Sequence, residues 1–187
     1  MGKGVIAGGI LGGLILFAWG GLAHTVLPLG RVGFQSLPHE DVVLPALRQA
    51  APGAGLFFFP GLDLDHATDE ALAAWAVKYK AGPSGLLIMP EPGTEHENPG
   101  QFIRQIGVDL FCGLVAASLL AQCAARSYGA RLLFVTVLGL LGSVLITVPF
   151  WNWYHFPADF TAATITESVV GFLLAGLAMA KIVKPAT

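Results

Sequence analysis

Charged side chains are scarce in this sequence of 187 residues, because only 12% of them are Asp, Glu, Lys or Arg. In soluble domains roughly a quarter of the residues are charged. In this chain, by contrast, 55% of the residues are hydrophobic and the mean hydropathy is +0.69. The composition therefore excludes a disordered chain and disfavours an ordinary soluble domain. It predicts that lipid is the solvent for most of the protein.

Cysteine pairs, basic excess and catalytic motifs are also missing. Cys112 and Cys123 lie eleven residues apart in one apolar run, about 16 Å along a helix, which is too far for a disulfide. The formal net charge of -2 sets nucleic-acid binding aside. The sequence has no P-loop, GxSxG, HExxH or CxxCH motif, so no catalytic residue is predicted and an enzyme is the least favoured class. The sequence leaves the cofactor unknown.

Four apolar runs predict membrane-spanning helices, since each is close to the ~20 residues that a span requires. The runs are Gly4–Leu27, Phe102–Ala125, Arg131–Phe150 and Phe160–Ile182. Helices buried in a soluble protein would show a polar face at helical spacing, and none is seen. We expect an all-α four-helix membrane bundle with a small α+β insertion between helices 1 and 2. The first run exceeds a signal-peptide core and is interpreted as an uncleaved anchor.

The basic residues near the span ends predict the orientation in the membrane. Those at one side of the membrane are Lys3, Arg126, Arg131, Lys181 and Lys184, and no acid accompanies them. This side is expected to be cytoplasmic, with both termini there, in a bacterial inner membrane. Residues 1–27 then form span one, residues 28–100 an extracytoplasmic module, and residues 101–187 the other three spans.

The module is predicted to contain short helices and strands separated by Pro and Gly turns. Pro38–Ala50 is expected to be helical although Pro45 interrupts it, and Gly55–Phe59 and Gly85–Met89 are expected to be strands, with a parallel crossover as one possible arrangement. Thr68–Lys80 is the strongest helix, with an apolar face of Leu72, Trp75, Ala76 and Tyr79. Two strands are too few for a stable sheet, so the module is expected to lean on the membrane helices or on a partner.

Histidine and carboxylate side chains on the module side of the membrane are the ligand types of zinc or copper sites. The metal candidates are His24, His66, His96 and His155, but no pair has the spacing that places two ligands on one helical face. The alternative is that they are solvated loop residues. His24, at the end of span one, is expected to face His155.

Asp109 and Glu167 are ionisable residues within apolar spans, and intramembrane acids suggest functional sites. Each lies about two turns from the module-side end of its span, so similar depths are expected, with Thr164 and Ser168 adding hydroxyls. Proton or cation handling is one hypothesis, and hydrogen bonding between packed helices is the other.

Two further patterns concern packing and membrane anchoring. Trp151, Trp153 and Tyr154 lie in an expected turn, Trp151–Asp159, where amphipathic rings suit the headgroup layer. Glycines recur four apart in span one, at Gly4, Gly8 and Gly12 and at Gly9 and Gly13, which favours close approach of another helix from this or another chain.

Several short motifs extend over nearly the whole chain in a specific order: Phe17–Gly20 with Leu27–Pro28, Gly55–Pro60, Gly82–Gly85 and Val148–Tyr154. With these motifs the chain resembles a widespread group of uncharacterised four-helix bacterial inner-membrane proteins with a small periplasmic module. The resemblance implies a bacterial location and the four-helix plan, but no reaction.

Two function hypotheses follow. The first is a noncatalytic accessory or scaffold subunit of a larger membrane complex, whose partners are the lipid bilayer and other membrane subunits or a second copy. The second is a small transport or metal-handling protein that uses the intramembrane acids and the histidines. Copurifying partners would favour the first hypothesis, and stoichiometric bound metal the second.

Overall fold

The computed structural model describes residues 2–51, 53–63 and 65–184. Within them the chain is mostly helical, with six α-helices, a short 3-10 turn and two strands. In chain order these are α1 (Lys3–Thr25), the 3-10 turn (Pro28–Arg31), α2 (Glu40–Ala50), β1 (Gly55–Phe59), α3 (Asp69–Ala81), β2 (Gly85–Met89), α4 (Pro99–Gln122), α5 (Tyr128–Tyr154) and α6 (Ala158–Ile182). The chain divides into a helical unit, residues 1–34 with 97–187, and a small unit, residues 35–96.

Helices α1, α4, α5 and α6 are long and apolar enough to cross a membrane. They contain 23, 24, 27 and 25 residues, and each therefore exceeds the hydrocarbon thickness of about 30 Å. Lipid offers no hydrogen bonds to an exposed main chain, so a helix is the structure that such apolar runs adopt there. The four helices match the predicted runs within a few residues and support a multi-pass membrane protein.

The aromatic segment at the end of α5 is helical, and the predicted turn over Trp151–Asp159 is wrong. The helix continues through Pro149 to Tyr154. The fixed φ of proline is compatible with a helix, and the helix tolerates the loss of one main-chain hydrogen bond at this position. His155 ends α5 in the left-handed conformation, with φ of 58°, and the N–H of Phe156 donates to the carbonyl of Phe150. Only residues 155–157 separate α5 from α6.

Packing within the helical unit follows a simple order. Helix α1 packs against α4 and α6, and α5 packs against α6. All four helices contribute to one buried cluster, made of Val5, Leu16, Ala116, Ala117, Leu120, Ala121, Val135, Ala175, Met179 and Val183. We call the end with Lys3, Arg126, Arg131, Lys181 and Lys184 the basic end, and the end where α1 and α5 finish and α4 and α6 begin the aromatic end.

Residues 28–34 belong to the helical unit, which extends past the predicted boundary at residue 27. The ring of Phe34 lies edge-on to Phe160, with centroids 5.7 Å apart. Gly33 has a φ of 82°, which favours glycine, and a Cβ there would lie 2.5 Å from the Cβ of Phe160. These contacts hold the segment against the first turn of α6.

The two strands of the small unit pair antiparallel, with Phe59 opposite Gly85, so the parallel arrangement is wrong. Only residues 82–84 link α3 to β2, so α3 must end beside the end of β1. The nine residues between β1 and α3 are long enough to carry the chain back before the helix begins. In a parallel crossover β2 would begin beside the start of β1, so α3 would have to end there instead.

Helix α3 confirms the predicted helix and packs on the sheet through two aromatic residues. The hydroxyl of Thr68 accepts a hydrogen bond from the N–H of Ala71 and caps the helix. The indole Nε1 of Trp75 donates to the carbonyl of Pro60 over 2.8 Å, and the ring of Tyr79 stacks on Phe58 at 6.1 Å. The predicted apolar face is narrower than expected, since Leu72 and Ala76 are exposed.

Candidate functional site

The candidate site centres on Glu167 of α6, which two residues of α1 contact, one at its carboxylate and one at its main-chain carbonyl. The Nε2 of His24 lies 3.1 Å from the Oε1 of Glu167, and the indole Nε1 of Trp19 donates to the main-chain carbonyl of Glu167 over 2.9 Å. Trp19 can approach because Gly171 has no side chain: a Cβ there would lie 2.9 Å from the indole Cδ1. The side chain of Glu167 is 23% exposed and that of His24 58%.

The second ring nitrogen of His24 faces the 3-10 turn. A Cβ at Gly30 would lie 2.3 Å from Nδ1 of the imidazole, so only glycine fits at that position. Because residues 28–34 also contact Phe160, the imidazole is held between α6 and this segment. From the sequence we expect His24 to face His155, but its partner in the structure is Glu167.

The hydroxyls expected around Glu167 point to different partners. The Oγ of Ser168 donates to the carbonyl of Gly139 over 3.0 Å and so joins α6 to α5. The Oγ1 of Thr164 donates to the carbonyl of Phe160, one turn earlier in its own helix. Ser168 therefore contributes to helix packing, and Thr164 satisfies its hydroxyl within α6.

Asp109 lies at a different level of the helical unit from Glu167. A Cβ on Gly13 would lie 2.7 Å from the main-chain oxygen of Asp109, so Asp109 is level with the middle of α1. His24 is eleven residues further along α1, about 16 Å. Along α1 the two acids therefore lie at different levels, with Asp109 beside its middle and Glu167 beside its end. The side-chain amide of Gln105 donates to both carboxylate oxygens of Asp109, at 3.1 and 3.2 Å.

The five predicted packing glycines of α1 divide between two neighbouring helices of the same chain. Each contact is closer than a side chain would allow. Gly4, Gly8 and Gly12 face Ile182, Val183 and Met179 at the end of α6, while Gly9 and Gly13 face Leu114 and Leu110 of α4. Gly113 of α4 completes the second crossing, since a Cβ there would lie 2.3 Å from the carbonyl oxygen of Gly9.

The remaining histidines are dispersed. His66 lies 3.0 Å from the Oδ2 of Asp63, His155 ends α5, and His96 lies at the edge of the small unit. Among the residues that the structure describes, no three His, Cys, Asp or Glu side chains approach closely enough to hold a metal ion. The anchor residues Trp151, Trp153 and Tyr154 are 48%, 73% and 44% exposed at the aromatic end.

Sequence reasoning missed the structural role of Arg131, which it used only as an orientation charge. The residue is 3% exposed. Its guanidinium donates to the carbonyls of Ala125, Ala180 and Val183 and so caps the end of α6, where a positive charge is favourable. Its position in the first turn of a span, next to a short loop, is the signal that could have indicated a cap.

No family model, curated protein or solved structure matches this chain. The His24 and Glu167 pair can hold a proton or a cation near the aromatic end. Asp109 can accept a hydrogen bond or a positive charge beside the middle of α1.

Proposed function

We propose that this protein is a noncatalytic accessory or scaffold subunit of a larger bacterial membrane complex, and that α4 contacts a neighbouring subunit through Asp109. In this proposal the four helices form a bundle in the inner membrane with both termini cytoplasmic. The basic end then lies in the cytoplasm, as the positive-inside rule favours, and the small unit lies in the periplasm. The resemblance noted from the sequence motifs is consistent with this arrangement.

The observation that carries the proposal is the position of Asp109. The residue is level with the middle of α1. In the proposed bundle its carboxyl is therefore near the centre of the bilayer, where an acid costs about 2.5–3.5 kcal/mol on insertion scales. Its hydrogen bonds come from Gln105, one turn away on the same helix. A donor on a helix of another subunit would offset the cost, because polar residues join helices in membranes.

The surface around Asp109 offers room for such a helix. Between the glycine crossing and the aromatic end there is open space beside both helices, because a Cβ on Gly107 of α4 or on Gly20 of α1 would meet no atom within 4 Å. Four large apolar residues in this half of α4 are more than half exposed: Phe102 (56%), Ile103 (70%), Val108 (53%) and Phe111 (67%). Lipid can cover those side chains, but it does not offer Asp109 a strong donor.

Photocrosslinking in native membranes tests the proposal. A photoreactive amino acid at Phe102, which is 56% exposed and lies two helical turns from Asp109 on the same side of α4, should give a crosslinked adduct with another membrane protein. Asp109→Leu should reduce this adduct at least fivefold, since about 1 kcal/mol of polar contact is lost. Asp109→Asn, which keeps a hydrogen-bonding group, should retain most of it.

The matched control places the same photoreactive residue at Leu141 of α5, which is 61% exposed and far from Asp109 in sequence. Its products should not respond to Asp109→Leu. A protein that gives no adduct from Phe102 and migrates as a monomer in native-lipid particles would remove the proposal.

A second candidate, proton or cation transport, is favoured by the paired His24 and Glu167. A carboxylate bonded to an imidazole is a typical proton relay in transporters. Proton uptake into vesicles carrying the purified protein would support it, provided that Glu167→Gln abolishes the uptake and Thr166→Ala does not. Stoichiometric metal in the purified protein, lost in His24→Ala, would indicate metal handling.

A further inference from the structure

Five cations from four parts of the chain gather at the basic end around the last turn of α6. An ideal Cβ on Gly4, next to Lys3, lies 2.9 Å from the carbonyl of Ile182 and 4.0 Å from the N–H nitrogen of Lys184. Arg131 binds the carbonyls of Ala180 and Val183. The Nζ of Lys181 lies 5.9 Å from the ring centre of Tyr128, two residues after Arg126.

No carboxylate accompanies these cations among the described residues of the helical unit. Glu97 and Asp159 flank the starts of α4 and α6 at the aromatic end. Glu167 is paired with His24, and Asp109 is halfway along the bundle. Within the described part of the helical unit, the positive charge of the basic end therefore has no carboxylate counter-ion.

The helix end itself does not neutralise the lysines either. Carbonyls at the end of a helix attract nearby cations, but Arg131 already occupies those of Ala180 and Val183. Lys181 and Lys184 are both exposed, and the ring of Tyr128 offers Lys181 only a weak contact at this distance. Both ammonium groups remain available for an external anion.

We infer that the basic end binds the phosphate of an anionic phospholipid headgroup, with Lys181 and Lys184 as its principal contacts. The location favours a lipid over a soluble anion. Lys3 and Lys181 stand at the ends of apolar helices that are long enough to span the hydrocarbon core. The charges of these two lysines are therefore expected in the headgroup layer. Basic pockets between membrane helices are a known setting for anionic headgroups. This inference is independent of the proposed function.

Native mass spectrometry of the full chain tests it, with protein taken from vesicles of phosphatidylethanolamine and phosphatidylglycerol. The wild type should retain phosphatidylglycerol in preference to phosphatidylethanolamine. The double variant Lys181→Gln with Lys184→Gln should retain about tenfold less phosphatidylglycerol, because each lysine near the surface contributes to the attraction.

The matched control is Lys78→Gln with Lys80→Gln, two lysines at the end of α3 in the small unit, which should bind lipid like the wild type. Raising the salt concentration should weaken retention by the wild type, and this arm tests the inference even if the double variant misfolds. Equal retention of the two lipids, or an unchanged double variant, would overturn the inference. Stabilisation by inorganic phosphate equal to that by phosphatidylglycerol would overturn the assignment to lipid.

Discussion

The imidazole of His24 lies 3.1 Å from the carboxylate of Glu167, although 143 positions separate the two residues in the chain. Trp19, five residues earlier in α1, bonds the main-chain carbonyl of the same glutamate. Helix α1 therefore contacts both the side chain and the main chain of Glu167 in α6. This contact fixes the register of the two helices at the aromatic end, far from the glycines that fix it at the basic end.

A double-mutant cycle should measure a coupling of about 1 kcal/mol between His24→Ala and Glu167→Ala, the range of partly exposed ion pairs. Unfolding in mixed micelles with increasing denaturing detergent gives the free energies. The matched control is Thr25→Ala, because its hydroxyl bonds the carbonyl of Gly21 in its own helix. Thr25→Ala and Glu167→Ala should be additive, and additivity for the His24 pair would contradict the bond.

Gly113→Ala should destabilise the helical unit by about 2 kcal/mol or more, because a Cβ there would lie 2.3 Å from the carbonyl of Gly9 and 2.5 Å from the nitrogen of Gly13. Both obstacles are main chain and cannot rotate away. Gly107→Ala on the same helix meets open space and should be neutral or slightly stabilising. Equal unfolding free energies for the two variants would show that α1 and α4 do not cross at this point.

Arg131→Leu should destabilise the protein by about 3 kcal/mol, since it leaves three main-chain carbonyls without their charged donor. Arg126→Leu removes a charge from the same end, but this side chain is exposed, and we expect a change below about 0.5 kcal/mol. Hydrogen exchange should show faster opening of the last turn of α6 in Arg131→Leu alone. Similar effects of the two variants would indicate that net charge, and not the cap, is what stabilises this end.

The carboxyl of Glu70 should titrate at a higher pH in Thr68→Ala than in the wild type. Its own main-chain N–H and the hydroxyl of Thr68 donate to the carboxylate and hold the pKa of Glu70 below its ordinary value. A lowered pKa stabilises the folded small unit above the ordinary value, and the stabilisation is lost as the pH falls through the folded pKa. NMR titration of the Glu70 carboxyl measures the shift, and Asp69→Asn provides a control that leaves both donors in place.

The sequence by itself determined most of the secondary-structure elements. A run of ~20 apolar residues in lipid has to satisfy its main-chain hydrogen bonds internally, so the four long helices follow from composition and length alone. Helix α3 and the two strands were also predictable, since Thr68, the charges at the two helix ends and Gly82 act locally. Local signals misled in the aromatic segment, where α5 contains Pro149 and still continues to Tyr154, and on α3, where two of the four residues of the predicted apolar face are exposed.

Tertiary structure decided which residues meet. The division of the α1 glycines between α4 and α6, the position of Asp109 beside the middle of α1 and the partners of His24 and Arg131 all depend on where one helix crosses another. The direction of β2 depends on where α3 ends. Periodicity in a single chain assigns a residue to a face but does not say which helix covers that face or how far the helix is shifted along its axis. One turn of shift moves every contact by 5.4 Å, enough to replace one partner with another, and only packing of the whole unit sets that shift.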